Sequence, residues 1–291
     1  MAVQNSERME ATTWITGAGG LIGNSLLQTA PRFAPGWRIR GLTRSQLDLL
    51  DFVIVRRAFA EQRPQLVIHC AALTKTPDCQ ARPELARRTN VEATALLAEL
   101  AAEIPFVFFS TDLVFDGRNG PYDESAPTSP LSYYGETKVA AERIVLANPR
   151  HLVVRTSLNY GTSPTGDRAP NEQLRLAWRR GERPRLFTDE FRCPIPACVT
   201  ARAVWELIGG NRTGLFHVAG GERLSRYEIG KLIAARWPQL NPQCDAASAR
   251  EYPNPPRPGD TSMNCAKAQA ALSFPLPKFS EWLRAHPQEV I

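Results

Sequence analysis

Apolar residues in the first half of the chain come in short, nearly unbroken runs separated by stretches of helical period. TTWIT (12–16), RIRGLT (38–43), QLVIHCAA (65–72), IPFVFFST (104–111) and HLVVRTS (151–157) read as strands. Near-continuous apolar runs, rather than alternating ones, are expected of strands covered on both faces. The clearest helical pattern between them is PELARRTNVEATALLAELAAE (83–103), which opens on Pro83 and repeats Leu85, Val91, Leu96 and Leu97 near helical spacing. Strand–helix alternation predicts an α/β fold built on a doubly wound parallel sheet.

After about residue 157 the rhythm loosens, and Pro and Gly become dense in GTSPTGDRAP, CPIPAC and YPNPPRPGD. GLFHVAG (214–220) still reads as a buried strand, followed by the helical SRYEIGKLIAARW (225–237). The expected organisation is a flexible leader over 1–11, a sheet domain over 12–157, and a smaller, interleaved C-terminal lobe over 158–291. Residues 196–222 are expected to return to the sheet.

Composition narrows this picture only modestly. A 291-residue chain that is 43% hydrophobic and 22% charged is ordinary for a soluble globular protein. No apolar run approaches the length of a bilayer span, and the N-terminus has no apolar signal core, so no membrane partner is expected. The six cysteines form no CxxC and do not cluster with the four histidines, which argues against a metal site and for reduced thiols in the cytoplasm. A net charge of +6 suggests anionic partners, with cofactor or substrate phosphates favoured over nucleic acid. The basic run Arg175, Arg179, Arg180, Arg183 and Arg185 reads equally as a pyrophosphate cradle or a solvated face. It has no interleaved aromatic platform for nucleic acid.

Candidate chemistry begins at TTWITGAGGLIGNSLL (12–27), a strand, a tight glycine turn and a helix. Gly17 makes the turn, Gly20 lets backbone approach a pyrophosphate, and Gly23 lets helix and strand pack closely. The helix start at Leu21 and Ile22 then offers free N–H groups to the phosphates. In this context the pattern predicts a dinucleotide-binding (Rossmann) domain. The second strand leads into Thr43 and Arg44 where a carboxylate would select NAD. Arg44 instead suits a 2′-phosphate, so NADP(H) is preferred and NAD(H) is the alternative. Asp48 and Leu49 are candidates for the adenine pocket, and the small Cys70, Ala71 and Ala72 let the chain run close beside a cofactor. His69 reads as core.

The strand 104–111 ends in the hydroxyls of Ser110 and Thr111, at the sheet edge where ligands bind in such folds. Downstream, PLSYYGETKVAAERIV (130–145) places Lys138 four residues after Tyr134, on the same face of a helix. Tyr133 has Thr137 at that spacing, which supplies no charge, so Tyr133 packs or touches substrate.

The segments TGAGGLIG (16–23), VIHCAALT (67–74), RTNVEAT (88–94), FSTDLVFDG (109–117), YGETK (134–138), VVRTS (153–157), FHVAG (216–220), LSRYE (224–228) and PRPGD (256–260) together resemble the extended short-chain dehydrogenase/reductases. Within that superfamily the chain is similar to the dTDP-4-dehydrorhamnose reductase family, from about residue 12 to 275. The resemblance implies Tyr134 as general acid, Lys138 as its partner and Thr111 as the hydroxyl holding the substrate oxygen. A nearby ammonium is expected to lower the tyrosine pKa from about 10 toward working pH.

The resemblance also implies a nucleotide-sugar substrate whose side of the site includes Asp112, Tyr133, Asn159, Arg192 and Arg257. A homodimer is compatible with it. The superfamily's nucleotide-sugar 4,6-dehydratases share Thr-Asp-Glu at the strand end, whereas this chain has Thr111–Asp112–Leu113, which favours reduction of a 4-keto sugar. The reductases share a Trp after RTS. Here Leu158 and Asn159 follow, leaving the particular deoxyhexose and nucleotide open. Two alternatives stand beside the reductase: an NADP-binding regulatory subunit resembling the methionine adenosyltransferase β-subunit, and a nucleotide-sugar epimerase.

Overall fold

A computed structural model describes residues 11–252 and 256–289. The leader expected over 1–11 lies outside the described residues except for the Ala11 backbone, as do 253–255 of the Pro-rich stretch. The apolar runs form β1 (Ala11–Thr16), β2 (Trp37–Leu42), β3 (Leu66–His69), β4 (Phe106–Thr111) and β5 (Leu152–Thr156), and GLFHVAG supplies β6 (Gly214–Val218). The main helices between them are α1 (Leu21–Phe33), α2 (Phe52–Gln62), α3 (Ala93–Leu100), α4 (Tyr133–Leu146) and α5 (Ala197–Gly209).

All neighbouring pairs in this sheet are parallel, in the order β6-β5-β4-β3-β1-β2. The order reverses beside β1, so the crevice beyond the C-terminal ends of β1 and β3 is the topological switch point where such sheets bind ligands. Each face of the sheet carries its own core. Ile15, Ile68 and Val154 pack against Leu26 of α1 and Val204 and Leu207 of α5. On the other face Trp14, Phe108 and Val153 meet Val55 of α2, Leu97 of α3 and Ala141 of α4. Burying both faces explains why β3, β4 and β5 open on unbroken apolar runs, with polar residues only at their C-terminal ends. β2 is the exception. It lies at the sheet edge, and its Arg38 and Arg40 side chains point to solvent.

The single helix expected over 83–103 is interrupted. Pro83–Arg87 is α-helical, Arg88–Glu92 forms a π turn, and α3 resumes at Ala93. The extra residue of the π turn rotates the buried Asn90 inward, where its side chain finds backbone partners. Strand ends also differ by one to three residues: QLVIHCAA pairs only over Leu66–His69, so Cys70, Ala71 and Ala72 form the loop beyond β3.

The C-terminal part gathers the helices Pro170–Arg179, Arg226–Ala234 and Phe279–Ala285 around Tyr160, Trp178, Ile229, Ile233 and Trp282. The helix expected over 225–237 spans Arg226–Ala234, with Ser225 and Glu228 closing a capping box at its start. Among the described residues no helix is long and apolar enough to cross a membrane.

Candidate active site

The glycine turn is shaped by contact. Gly17 takes φ +69°, and a Cβ there would stand 2.6 Å from the Ala71 backbone nitrogen. A Cβ on Gly23 would stand 2.4 Å from the Gly17 carbonyl oxygen. Only glycine lets the turn, α1 and the Cys70–Ala71 loop close on one another. Gly20 is the N-cap of α1 and contributes no side-chain cap, so nothing in the cap competes for the N–H groups of Leu21, Ile22 and Gly23.

Thr43 at the end of β2 lies beside this turn, its methyl 3.7 Å from where a Gly19 Cβ would be. The next residue, Arg44, is largely exposed and stands 3.6 Å from the Asp48 carboxylate. Asp48 also accepts the Leu50 N–H at 3.0 Å, which orders the turn holding Leu49.

At the end of β4, Thr111 accepts the Leu113 N–H and donates to Asp112 Oδ1, both at 3.2 Å. Ser132 caps α4 by accepting the Gly135 N–H, which starts the helix at Tyr133 and places Tyr134 and Lys138 one turn apart on a buried face. The ammonium of Lys138 sits 3.9 Å from the centre of the Phe108 ring on β4, so the side chain reaches back over the sheet. Thr111, Tyr134 and Lys138 therefore meet between β4 and α4, with the loop after β3 on their flank.

Electrostatics differ from the expectation that Lys138 would pull the phenol down. Burial raises the Tyr134 pKa well above its ordinary value, the Asp112 charge raises it further, and a hydrogen bond with Thr111 only partly opposes them. Burial also lowers Lys138, to about 7, against the pull of Glu142. A phenol in this setting holds its proton, as a proton donor must.

The substrate-side candidates divide. Asp112 is buried, and its Oδ2 accepts Ser157 at 2.9 Å and Thr261 at 2.8 Å, with Arg192 Nε at 3.7 Å. Arg192 donates to the carbonyls of Phe191, Pro258 and Gly259, clamping the PRPGD segment to the sheet edge. Arg257 is half-exposed, with Glu190 at 3.4 Å. Tyr133 is partly buried against the cluster of Cys79, Ala86 and Tyr134, as are Leu73 and Leu113. Asn159 is turned inward: its amide donates to Thr156 and Ser157, and its oxygen accepts Thr200. In the basic run, Arg180 pairs with Glu182 and Arg183 with Asp245, and Arg185 donates to the Tyr252 hydroxyl, so part of its charge is compensated.

A family model described as RmlD substrate binding domain matches residues 11–290. The chain belongs to this RmlD family. Its relatives include a dTDP-4-dehydrorhamnose reductase of Sinorhizobium fredii, 30% identical over 93% of this chain and 94% of that protein. The methionine adenosyltransferase 2 subunit beta of Xenopus laevis is 28% identical over 88% of this chain and 80% of its own length. The crystal structure of a dTDP-4-dehydrorhamnose reductase from Clostridium acetobutylicum superposes with a TM-score of 0.84 at 25% identity, covering 94% of this chain and 97% of that one.

This RmlD-family site also has a supporting residue that sequence reasoning left without a role. Asn90, in the π turn, accepts the Leu73 N–H at 2.8 Å and donates to the Leu73 carbonyl and to Thr137 Oγ1, both at 3.0 Å. Thr137 in turn donates to the Tyr134 carbonyl at 2.7 Å. One amide thus ties the loop after β3 to the first turn of α4. The available signal was a polar, poorly helix-forming residue inside an otherwise helical run.

Proposed function

We propose that this chain is an NAD(P)H-dependent oxidoreductase that reduces the 4-keto group of a nucleotide-activated deoxysugar. The observation that carries the reading is the meeting of Thr111, Tyr134 and Lys138 at the C-terminal end of β4, beside the glycine turn.

The residues at the switch point suit a dinucleotide: a glycine-lined turn, an N-cap without a side-chain cap, and small residues at Cys70–Ala72. NADPH, when bound there, supplies the hydride. Thr111, its oxygen kept in place by the Leu113 N–H, would turn its hydroxyl proton from Asp112 to the ketone oxygen and so hold it. Tyr134, kept protonated by burial, delivers its proton to that oxygen as charge develops on it. Lys138 holds positive charge one turn away, stabilising the phenolate left behind. Arg44, exposed beside the glycine turn, supports NADP(H) over NAD(H). A cytoplasmic setting fits six cysteines that are all free.

The absence of a glutamate after Asp112 supports reduction over dehydration. A regulatory subunit is the second reading, favoured by the likeness to the Xenopus laevis protein. A pure binding partner has no need of the buried Tyr134 and Lys138, which supports the enzyme. The test is NADPH oxidation by the purified chain offered a dTDP-4-keto-6-deoxyhexose. Turnover is expected, and cofactor binding without turnover of any keto-sugar nucleotide would favour the regulatory reading.

A further inference from the structure

Lys138 is followed one helical turn later by Glu142, so Tyr134, Lys138 and Glu142 form a stripe along the buried face of α4. Glu142 is only 3% exposed, and Arg155 of β5, 4% exposed, grips it with both arms of its fork. Nε to Oε1 is 2.9 Å and Nη2 to Oε2 is 2.7 Å. The guanidinium is further pinned 5.1 Å from the Phe115 ring centre and 3.4 Å from His217 Nε2 on β6. A buried ion pair of this kind adds little net stability over well-packed apolar side chains, so its presence beside a functional lysine calls for another account.

We infer that the Glu142–Arg155 pair is a positioning device for Lys138, its negative end, one helical turn away, holding the ammonium charged where it sits over the Phe108 ring of β4. This rests on the reductase reading for its purpose, although the charge coupling itself does not.

The pair is a dipole whose negative end belongs to the helix carrying Lys138. Its positive end is anchored in the sheet and faces His217. The other groups around the ammonium supply no comparable negative charge. His69 on β3 is neutral, its pKa lowered to about 3 by burial and by Lys138 itself. Cys70, after β3, is pushed up by burial and stays a thiol. Cys79, from the helix Thr76–Ala81, is likewise raised, to about 11. Asp112 acts on Tyr134 and is engaged by Ser157, Thr261 and Arg192. His217 is lowered to about 4 by burial and by Arg155, so it does not compete for the Glu142 charge. Glu142 is the carboxylate that opposes the desolvation of Lys138.

The test reads Lys138 directly. The chain holds five lysines, Lys75, Lys138, Lys231, Lys267 and Lys278, so a ¹⁵Nζ titration of the whole protein is simple to assign, with Lys138→Arg identifying the signal. In Glu142→Gln the Lys138 midpoint is expected to fall by at least about one pH unit, a tenfold loss of proton affinity. Arg155→Lys keeps both charges while disturbing the same packing, and its midpoint should stay within about 0.3 unit of wild type, well below that one-unit effect. If Glu142→Gln does not fold, Glu142→Gln/Arg155→Met removes both charges, and the midpoint should fall in the same direction by less than in the single variant, because the opposing Arg155 charge goes with it.

In turnover, the alkaline limb of kcat/KM should move to lower pH alongside the titration, since that limb reports the free enzyme. An unmoved midpoint, or an equal shift in Glu142→Gln and Arg155→Lys, overturns the inference. A moved midpoint in a protein that turns over no keto sugar upholds the charge coupling and overturns the reductase reading.

Discussion

The carboxylate of Asp112 accepts the hydroxyl of Thr261 at 2.8 Å across 149 residues of chain. The same oxygen takes Ser157 at 2.9 Å, and Arg192 lies 3.7 Å away, so one side chain joins the end of β4, the end of β5 and the PRPGD segment. Thr111, which donates to the other Asp112 oxygen, inherits its orientation from this junction.

Removing members of the junction should cost unequally. Thr261→Val removes one neutral donor and should lower stability by about 1 kcal/mol. Asp112→Ala leaves the buried Arg192 with Glu190, 3.8 Å away, still facing it but strands the Ser157 and Thr261 hydroxyls as well, and should cost more, about 2–4 kcal/mol. Denaturant midpoints of the two variants check this. Equal losses would mean Asp112 is an ordinary hydrogen-bonding residue.

Tyr134→Phe removes the proton but keeps the ring against Cys79 and Ala86. The expected result is a loss of about a hundredfold or more in kcat with NADPH affinity unchanged, the usual worth of a positioned acid. Stopped-flow cofactor binding and steady-state rates separate the two effects, and a fall in both alike would point to a packing role instead.

Arg44 tests the cofactor assignment. In Arg44→Ala the affinity for NADPH should fall about tenfold or more, since a charge-assisted bond to phosphate is worth roughly 1.5–3 kcal/mol. NADH binding should be nearly untouched. Equal weakening of both, by titration calorimetry, would remove Arg44 from the 2′-phosphate.

Stability should decline on mild acidification. His69 and His217 are buried and neutral, with pKa values lowered to about 3 and about 4. Between the unfolded value of about 6.5 and those folded values, the unfolded chain binds protons that the native state refuses. Stability therefore falls as pH drops from about 6.5 toward 4, by up to about 1.4 kcal/mol per pH unit for each histidine. His217→Gln should flatten that slope in a series of denaturation curves, and an unchanged slope would show that His217 accepts its proton in the native state.

Parts of the fold and site were legible because their signals are local. A strand buried on both faces favours an unbroken apolar run, so the runs that open β3, β4 and β5 announced themselves, although polar residues end each one. The glycine turn depends on φ and close approach at neighbouring positions, and Tyr134 and Lys138 are related by one helical turn. The π turn at Arg88–Glu92 was not legible, because the apolar spacing on either side still fits one helix. Asn159 looked like a substrate contact next to RTS, yet its partner Thr200 comes from α5, 41 residues on.

The sequence by itself determined the doubly wound class, the glycine turn and the tyrosine–lysine spacing, since each is written within a few consecutive residues. The tertiary structure alone decided which side chains are buried together. It placed β2 at the edge, where Arg38 and Arg40 meet solvent, and set Arg155 against Glu142 from a neighbouring strand. It also decided that Tyr134 is held up rather than drawn down. Desolvation depends on everything that surrounds a group, and no local pattern of residues records it.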